Sequence, residues 1–132
     1  VSTGTKLVTG VDFVSLPTED LGRAIEFYAD VLGLERSKVW GKSDDDALGA
    51  EFETGTVTIA LVLGERIGIE FQPNSVPVAL QVEDVEAARA GLEARGIEFE
   101  GDIIDSGVCF MATFRDPDGN SLMFHHRYAP KE

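Results

Sequence analysis

The chain is poor in the residues from which most chemical sites are built. Cys109 is its one cysteine, so no disulfide can close within it. Its two histidines are the neighbours His125 and His126, too few for a Cys/His cluster of zinc-site spacing. No apolar run approaches the roughly 20 residues that cross a bilayer, and the opening VSTGTKLVTG has no apolar signal core. The expected location is therefore cytoplasmic, with no membrane contact. Positive charge is scarce as well: 11 Lys and Arg stand against 24 Asp and Glu, for a net charge of −13. Phosphate backbones and anionic membranes would be repelled, which argues against nucleic acid as a partner. A cationic or neutral ligand suits that balance, and so does a merely solvated acidic face.

What the chain does have is a repeat. FVSLPTEDLGRAIEFYADVL (13–32) and PVALQVEDVEAARAGLEARG (77–96) bring Asp20 onto Asp84, Leu21 onto Val85 and Ala24 onto Ala88, an offset of about 64 residues that marks paired supersecondary units. Gly55, before an apolar run at 57–62, likewise corresponds to Gly119 before 121–125. With 132 residues, 43% of them hydrophobic, the chain can fill one sizeable core. The expectation is one domain over 1–132, with module one at about 8–63, a linker at 64–75 and module two at about 76–128.

Local patterns place the elements. The β-branched and aromatic run 11–16 ends at Pro17 and reads as a strand. A helix should follow, capped by Thr18 or Asp20, with Leu21, Ala24, Ile25, Tyr28 and Leu32 as its apolar stripe and Gly33 as its left-handed stop. Strands are expected at 34–40, 50–53 and 57–63. In the second copy a strand at 78–82 leads to a helix that starts near Glu83 or Asp84, buries Val85, Ala88 and Leu92, and ends at Gly96. Strands at 97–104, 108–114 and 122–126 complete it. Each module reads as βαβββ. The loop 41–49, with Asp44, Asp45 and Asp46 in a row, lacks the spaced ligands and closing Glu of an EF-hand and reads as solvated. The linker should carry some extended structure around 67–71. Asp116-Pro117-Asp118-Gly119-Asn120 is a turn signature with no catalytic role.

The paired strand–helix openings, FYADVLGL at the end of the first helix and DPDGN before the last strand resemble the vicinal oxygen chelate superfamily. That group includes glyoxalase I, bleomycin-resistance proteins, fosfomycin-resistance enzymes and extradiol dioxygenases. The likeness covers roughly residues 8–128. It implies an α+β fold in which two tandem βαβββ modules form a cup-shaped mixed sheet, helices on the convex side and ligand in the cup.

Alternation along the strands then assigns faces. With Val14 and Leu16 on the helices, Phe13 and Ser15 face the cup. Pro77, Ala79 and Gln81 do so beside core Val78, Leu80 and Val82. Thr58, Ala60 and Val62 do so beside Val57, Ile59 and Leu61. Cys109, Met111 and Thr113 line the cup while Phe110, Ala112 and Phe114 are core; Ser121, Met123 and His125 line it while Leu122 and Phe124 are core. The resemblance implies that metal-dependent members place His or Gln on the first strand of each module and Glu on the last. Here those positions hold Phe13, Ala60, Pro77 and Met123. Only Met123 offers a donor atom, a thioether too soft for Mg²⁺, Mn²⁺ or Fe²⁺, so neither metal nor cofactor is expected.

The expected ligand contacts are Phe13, Ser15, Trp40, Thr58, Ala60, Pro77, Gln81, Cys109, Met111, Thr113, Met123 and His125, an apolar and sulfur-bearing lining with a few hydrogen-bonding groups. Trp40 is placed to stack on a planar ligand at the rim, or else to pack in the core or a dimer contact. His125 is the one cup-facing group that titrates near neutrality, and so the candidate general acid or base. No G-x-S-x-G pattern surrounds Ser15, Ser121 or Cys109. Glu51 and Glu53 share a strand face, as a carboxylate pair or as a solvated edge. The expectation is a metal-free binding protein of the bleomycin-resistance type, a homodimer sequestering an antibiotic or other bulky organic molecule. The alternatives are a glyoxalase-like lyase, a metal-independent acid–base enzyme of the same fold, and a structural or regulatory domain whose cup is filled by its own side chains.

Overall fold

The computed structural model describes residues 7–41 and 46–130; Asp44 and Asp45 of the acidic loop lie outside them. Each module runs strand, helix and three strands. In the first, β1 (Phe13–Pro17), α1 (Leu21–Glu26), β2 (Glu35–Trp40), β3 (Gly49–Glu53) and β4 (Thr58–Val62) form a sheet of order β1-β4-β3-β2. In the second, β5 (Val78–Gln81), α2 (Val85–Glu93), β6 (Phe99–Asp105), β7 (Cys109–Arg115) and β8 (Ser121–Arg127) form the order β5-β8-β7-β6. β1 pairs in parallel with β4, and β5 with β8, while the other ladders are antiparallel. Each helix leads from the edge strand that opens its module to the strand at the opposite edge, and packs on its own sheet.

The repeated Asp starts both helices by one device. Asp20 accepts the Arg23 N–H and Asp84 accepts the Ala87 N–H, satisfying a donor that the first turn leaves free. Asp20 is the cap of α1; buried Thr18 instead donates its hydroxyl to the Asp20 carbonyl. The first helix does not stay α-helical as its stripe predicts. Residues Phe27–Val31 form a π-helical turn, closed by Leu32 N–H to the Phe27 carbonyl, before Gly33 reverses the chain at φ 73°.

The buried face is apolar and aromatic. Tyr28, Phe52 and Phe114 are fully buried, each side chain contributing about 1.5–3 kcal/mol by removal from water. Phe114 packs 4.8 Å from Phe124, and Phe99 lies 5.0 Å from Phe114 between ring centres. Leu16, Ile59 and Leu61 join this core from the first sheet, and Leu122, Ala112 and Phe124 from the second. Phe110 departs from its expected core position and is 36% exposed. It sits near the open end of the β7–β8 hairpin, opposite His126, with its ring stacked on Tyr128.

The linker opens on a turn, and none of its residues forms a strand. Gly64–Ile67 is a 3₁₀ turn, Gly68 takes φ 80°, and Ile69 N–H donates to the Gly64 carbonyl. Gly64 is what lets Ile69 fold back: a Cβ there would meet Ile69 Cβ at 3.2 Å. The turn dominates because two glycines and local hydrogen bonds close it before any strand partner is reached.

Candidate functional site

The strand registers gather most of the expected contacts on one face of each sheet. In the first module Phe13 pairs with Thr58, and Ser15 with Ala60, which in turn pairs with Glu51. These side chains share one face because paired residues point the same way. Phe13 is 51% exposed there, whereas Ala60 is fully buried.

Trp40, at the end of β2, closes that face at one edge. It pairs with Gly49, and its ring lies on the bare Cα: a Cβ at Gly49 would come within 2.9 Å of Trp40 Cε3 and closer still to the Leu61 carbonyl oxygen. The indole N–H donates to the Glu51 carboxylate. Glu53, two residues on, accepts from the Ser37 and Thr58 hydroxyls, which together hold its carboxyl below the usual range. A pair that reads from sequence as a carboxylate pair or as a solvated edge is thus a pair of hydrogen-bond acceptors on this face. The bulge between Arg36 and Lys38 accompanies it, with the Ser37 hydroxyl also reaching the Glu51 carbonyl. The alternation of Glu51 and Glu53 carries the signal for a shared face; the neutral donors that occupy them come from other strands.

In the second module the face is built in two rows. Gln81, His125 and Met111 lie side by side across β5, β8 and β7, and Ala79, Met123 and Thr113 form the next row. Gln81 is exposed; Met111, Thr113, Met123 and His125 are half-buried. Pro77 precedes β5 and takes no place in the ladder. Cys109 shares the face but is buried, with its Sγ 3.4 Å from the Ser106 hydroxyl and its carbonyl accepting the Ser106 N–H. That arrangement closes the β6–β7 turn. Among the described residues no group of three or more His, Cys, Asp or Glu stands close enough to hold a metal ion.

Two features have no counterpart in the expected site. The first is the Asp116–Asn120 turn, which does more than reverse the chain. Asp116 accepts the Asp118 and Asn120 N–H groups and is also reached by the Tyr28 hydroxyl at 2.7 Å, from the other module. Burial and the adjacent carboxylate keep the Tyr28 phenol protonated well beyond its ordinary range. Asn120 donates its amide to the Pro17 carbonyl, and Arg23 pairs with Asp118 at 3.0 Å. The second is an open cleft of about 870 Å³ between the modules, whose lining includes Val14, Leu32, Leu34, Ile59, Leu80, Val82 and Phe124. In register Val14 lies beside core Ile59, and Leu80 beside core Phe124, so alternation marks their face as core, but whether that face is filled depends on how the modules meet. Gln81 and His125 are the members of the expected site that also border the cleft.

Comparison with known proteins agrees with this architecture. A protein of Mycolicibacterium smegmatis described only as uncharacterized is 33% identical over 115 residues, 87% of this chain and 91% of that one. Among solved structures, the antibiotic-binding protein TnmS3 of Streptomyces sp. CB03234 superposes with a TM-score of 0.71 at 21% identity, covering 93% of this chain and 99% of that one. Lactoylglutathione lyase of Agrobacterium tumefaciens does so with 0.72 at 22%, covering 91% and 95%. A binding protein and an enzyme are equally near, so likeness at this level shows the fold and leaves activity to the site residues. Residues 10–124 match the Glyoxalase/Bleomycin resistance protein/Dioxygenase superfamily. With both modules, their sheet orders and this match in agreement, the chain belongs to that superfamily.

Proposed function

We propose that this protein binds a small organic molecule, an antibiotic or a comparably bulky compound, without a metal ion. The observation that carries the reading is the donor chemistry at the four positions where metal-dependent relatives place His, Gln or Glu. Phe13 presents a ring, Ala60 a buried methyl group and Pro77 a saturated ring. Met123, beside Ala79, offers a thioether. These groups do not fit a hard divalent cation. They do fit an apolar ligand surface, and Thr58, Gln81, Thr113 and His125 lie near enough in register to orient what rests on it. The antibiotic-binding neighbour supports the ligand class.

Each sheet contributes one face, and both leave apolar groups in water, Phe13 at 51% exposure among them. Pairing two chains would cover such surface and complete a shared cup, so the proposed functional unit is a homodimer. Elemental analysis of the purified protein, with melting curves in the presence and absence of EDTA, tests the metal claim. The expected outcome is no stoichiometric divalent ion and an unchanged melting temperature. Stoichiometric metal whose removal abolishes ligand binding would overturn the reading. Thermal-shift screening against antibiotics then identifies ligands, since a molecule that binds only the folded state raises its melting temperature.

A further inference from the structure

Alternation in the first sheet puts an aromatic ring and two carboxylates on the proposed ligand face. Val39 packs on the core, so Trp40 points away from it; Ala50 and Phe52 are core, so Gly49, Glu51 and Glu53 point the same way as Trp40. One side of the indole rests on Gly49, where a Cβ would come within 2.9 Å of Cε3 and 3.2 Å of Cζ3. The residue is only half-buried, and the part left open faces the cup. Its ring is also held in place, because the indole N–H donates to the Glu51 carboxylate. A bare glycine beneath the ring and an acceptor at its edge prepare a flat surface before any ligand arrives, which lowers the entropic cost of binding.

The carboxylates beside that surface have no counter-ion among the described residues. Glu51 accepts from Trp40, and Glu53 from the Ser37 and Thr58 hydroxyls, all neutral donors that orient the oxygens without cancelling their charge. Lys38 stands opposite Glu51 in register, but it is exposed and pairs with neither carboxylate. Phe13, paired with Thr58, adds a second exposed ring to the same face.

On the ligand face proposed above, and dependent on that reading, we propose that the bound molecule is a planar aromatic amine, cationic at neutral pH. Its ring stacks on Trp40, its ammonium meets Glu51 and Glu53, and Glu51 also positions the indole. The π-face and the carboxylates both attract a cation and repel an anion of the same shape. The net charge of −13 draws cations from a distance as well, a part that salt screens.

Calorimetry on the full chain separates ring from charge. Naphthylmethylamine, naphthylmethanol and naphthylacetate share one ring, while decahydronaphthylmethylamine keeps the ammonium without the π-system. The aromatic amine should bind tightest, the alcohol and the saturated amine each about tenfold weaker, and the acid weakest. Trp40→Leu should remove the advantage of the aromatic over the saturated amine. Glu51→Gln, which still accepts the indole N–H, should remove most of the preference for amine over alcohol and leave the alcohol unchanged. Glu51→Ala, which frees the indole, should weaken the alcohol too; a purely structural Glu51 would not split the two variants in this way. Glu86→Gln removes the same charge from the exposed first turn of α2 and should change nothing. Should Trp40→Leu fail to fold by circular dichroism, the probe series on the wild type and Glu51→Gln still decides. Equal affinity for amine and alcohol, equal affinity for the aromatic and saturated amines, an unaffected Glu51→Gln, or no binding of any probe would each overturn the proposal. If compounds of another class still raise the melting temperature of the metal-free protein, the metal-free binding reading survives that failure; stoichiometric metal would overturn that reading itself.

Discussion

Tyr28 shows how a single side chain joins the halves. Its ring lies fully buried between Phe27 and Phe52, and its hydroxyl ends on Asp116 of the other module. Tyr28→Phe keeps the ring and removes the donor to a buried carboxylate, so it should destabilise by about 1–3 kcal/mol in urea titrations. The pH dependence has a definite sign. A phenol whose folded pKa is raised contributes stability that is complete below about pH 10, its unfolded value, and is lost as pH rises toward the folded one. Wild type should therefore lose stability above pH 10 more steeply than Tyr28→Phe. Glu53 has the opposite sign, because the Ser37 and Thr58 hydroxyls lower its pKa. Its contribution is present above the ordinary carboxylate value and fades as pH falls through the folded one; being exposed, Glu53→Gln should flatten the acid limb only slightly. On the proposed ligand face, Met123→Glu places a carboxylate where apolar contact is required. It should cost a bound hydrophobic ligand on the order of a few kcal/mol by calorimetry. Unchanged affinity at pH 8 would move the ligand off that face.

At the scale of elements, the helices depend on their first residues. The nine-residue α2, Val85–Glu93, is shorter than the roughly 12–15 residues an isolated helix needs, so cap and packing must hold it. Asp84→Ala, which removes the acceptor for the Ala87 N–H, should cost about 1 kcal/mol in thermal or chemical unfolding. The β2–β3 edge depends instead on a missing side chain. Gly49→Ala would drive a methyl group into the Leu61 carbonyl and the Trp40 ring. Overpacking of this kind costs about 1–3 kcal/mol. Since Trp40 is the only tryptophan, a shift of its fluorescence should accompany the loss. Strand placement was legible from alternation to within a residue or two at most ends. The π-helical turn at Phe27–Val31 was not, because an α and a π turn share one apolar stripe and differ only in which carbonyl each N–H meets.

The whole molecule is a duplicated unit whose copies have diverged at their contacts. One inter-module junction is closed by Tyr28, Asp116 and Asn120; the other is an open cleft bordered by Arg127. Light scattering should give a dimer mass at micromolar concentration. A monomer unchanged on dilution would count against the shared cup and would leave Phe13 and Val76, at 51% and 79% exposure, as free apolar surface.

By itself the sequence determined the parts that follow from local spacing. The Asp20 and Asp84 repeat, the strand alternation and DPDGN were enough for two βαβββ modules, for the superfamily, and for the absence of donor side chains at Phe13, Ala60 and Pro77. Periodicity reports which way a side chain points, and composition reports what it can coordinate. Only the tertiary structure decided what each face meets. It made Glu51 and Glu53, by alternation a carboxylate pair or a solvated edge, acceptors for Trp40, Ser37 and Thr58, and it buried Cys109 against Ser106. It also made the DPDGN turn a dock for Tyr28 and opened a cleft along residues that read as core. Those outcomes depend on contacts between residues far apart in the chain, which no local pattern encodes.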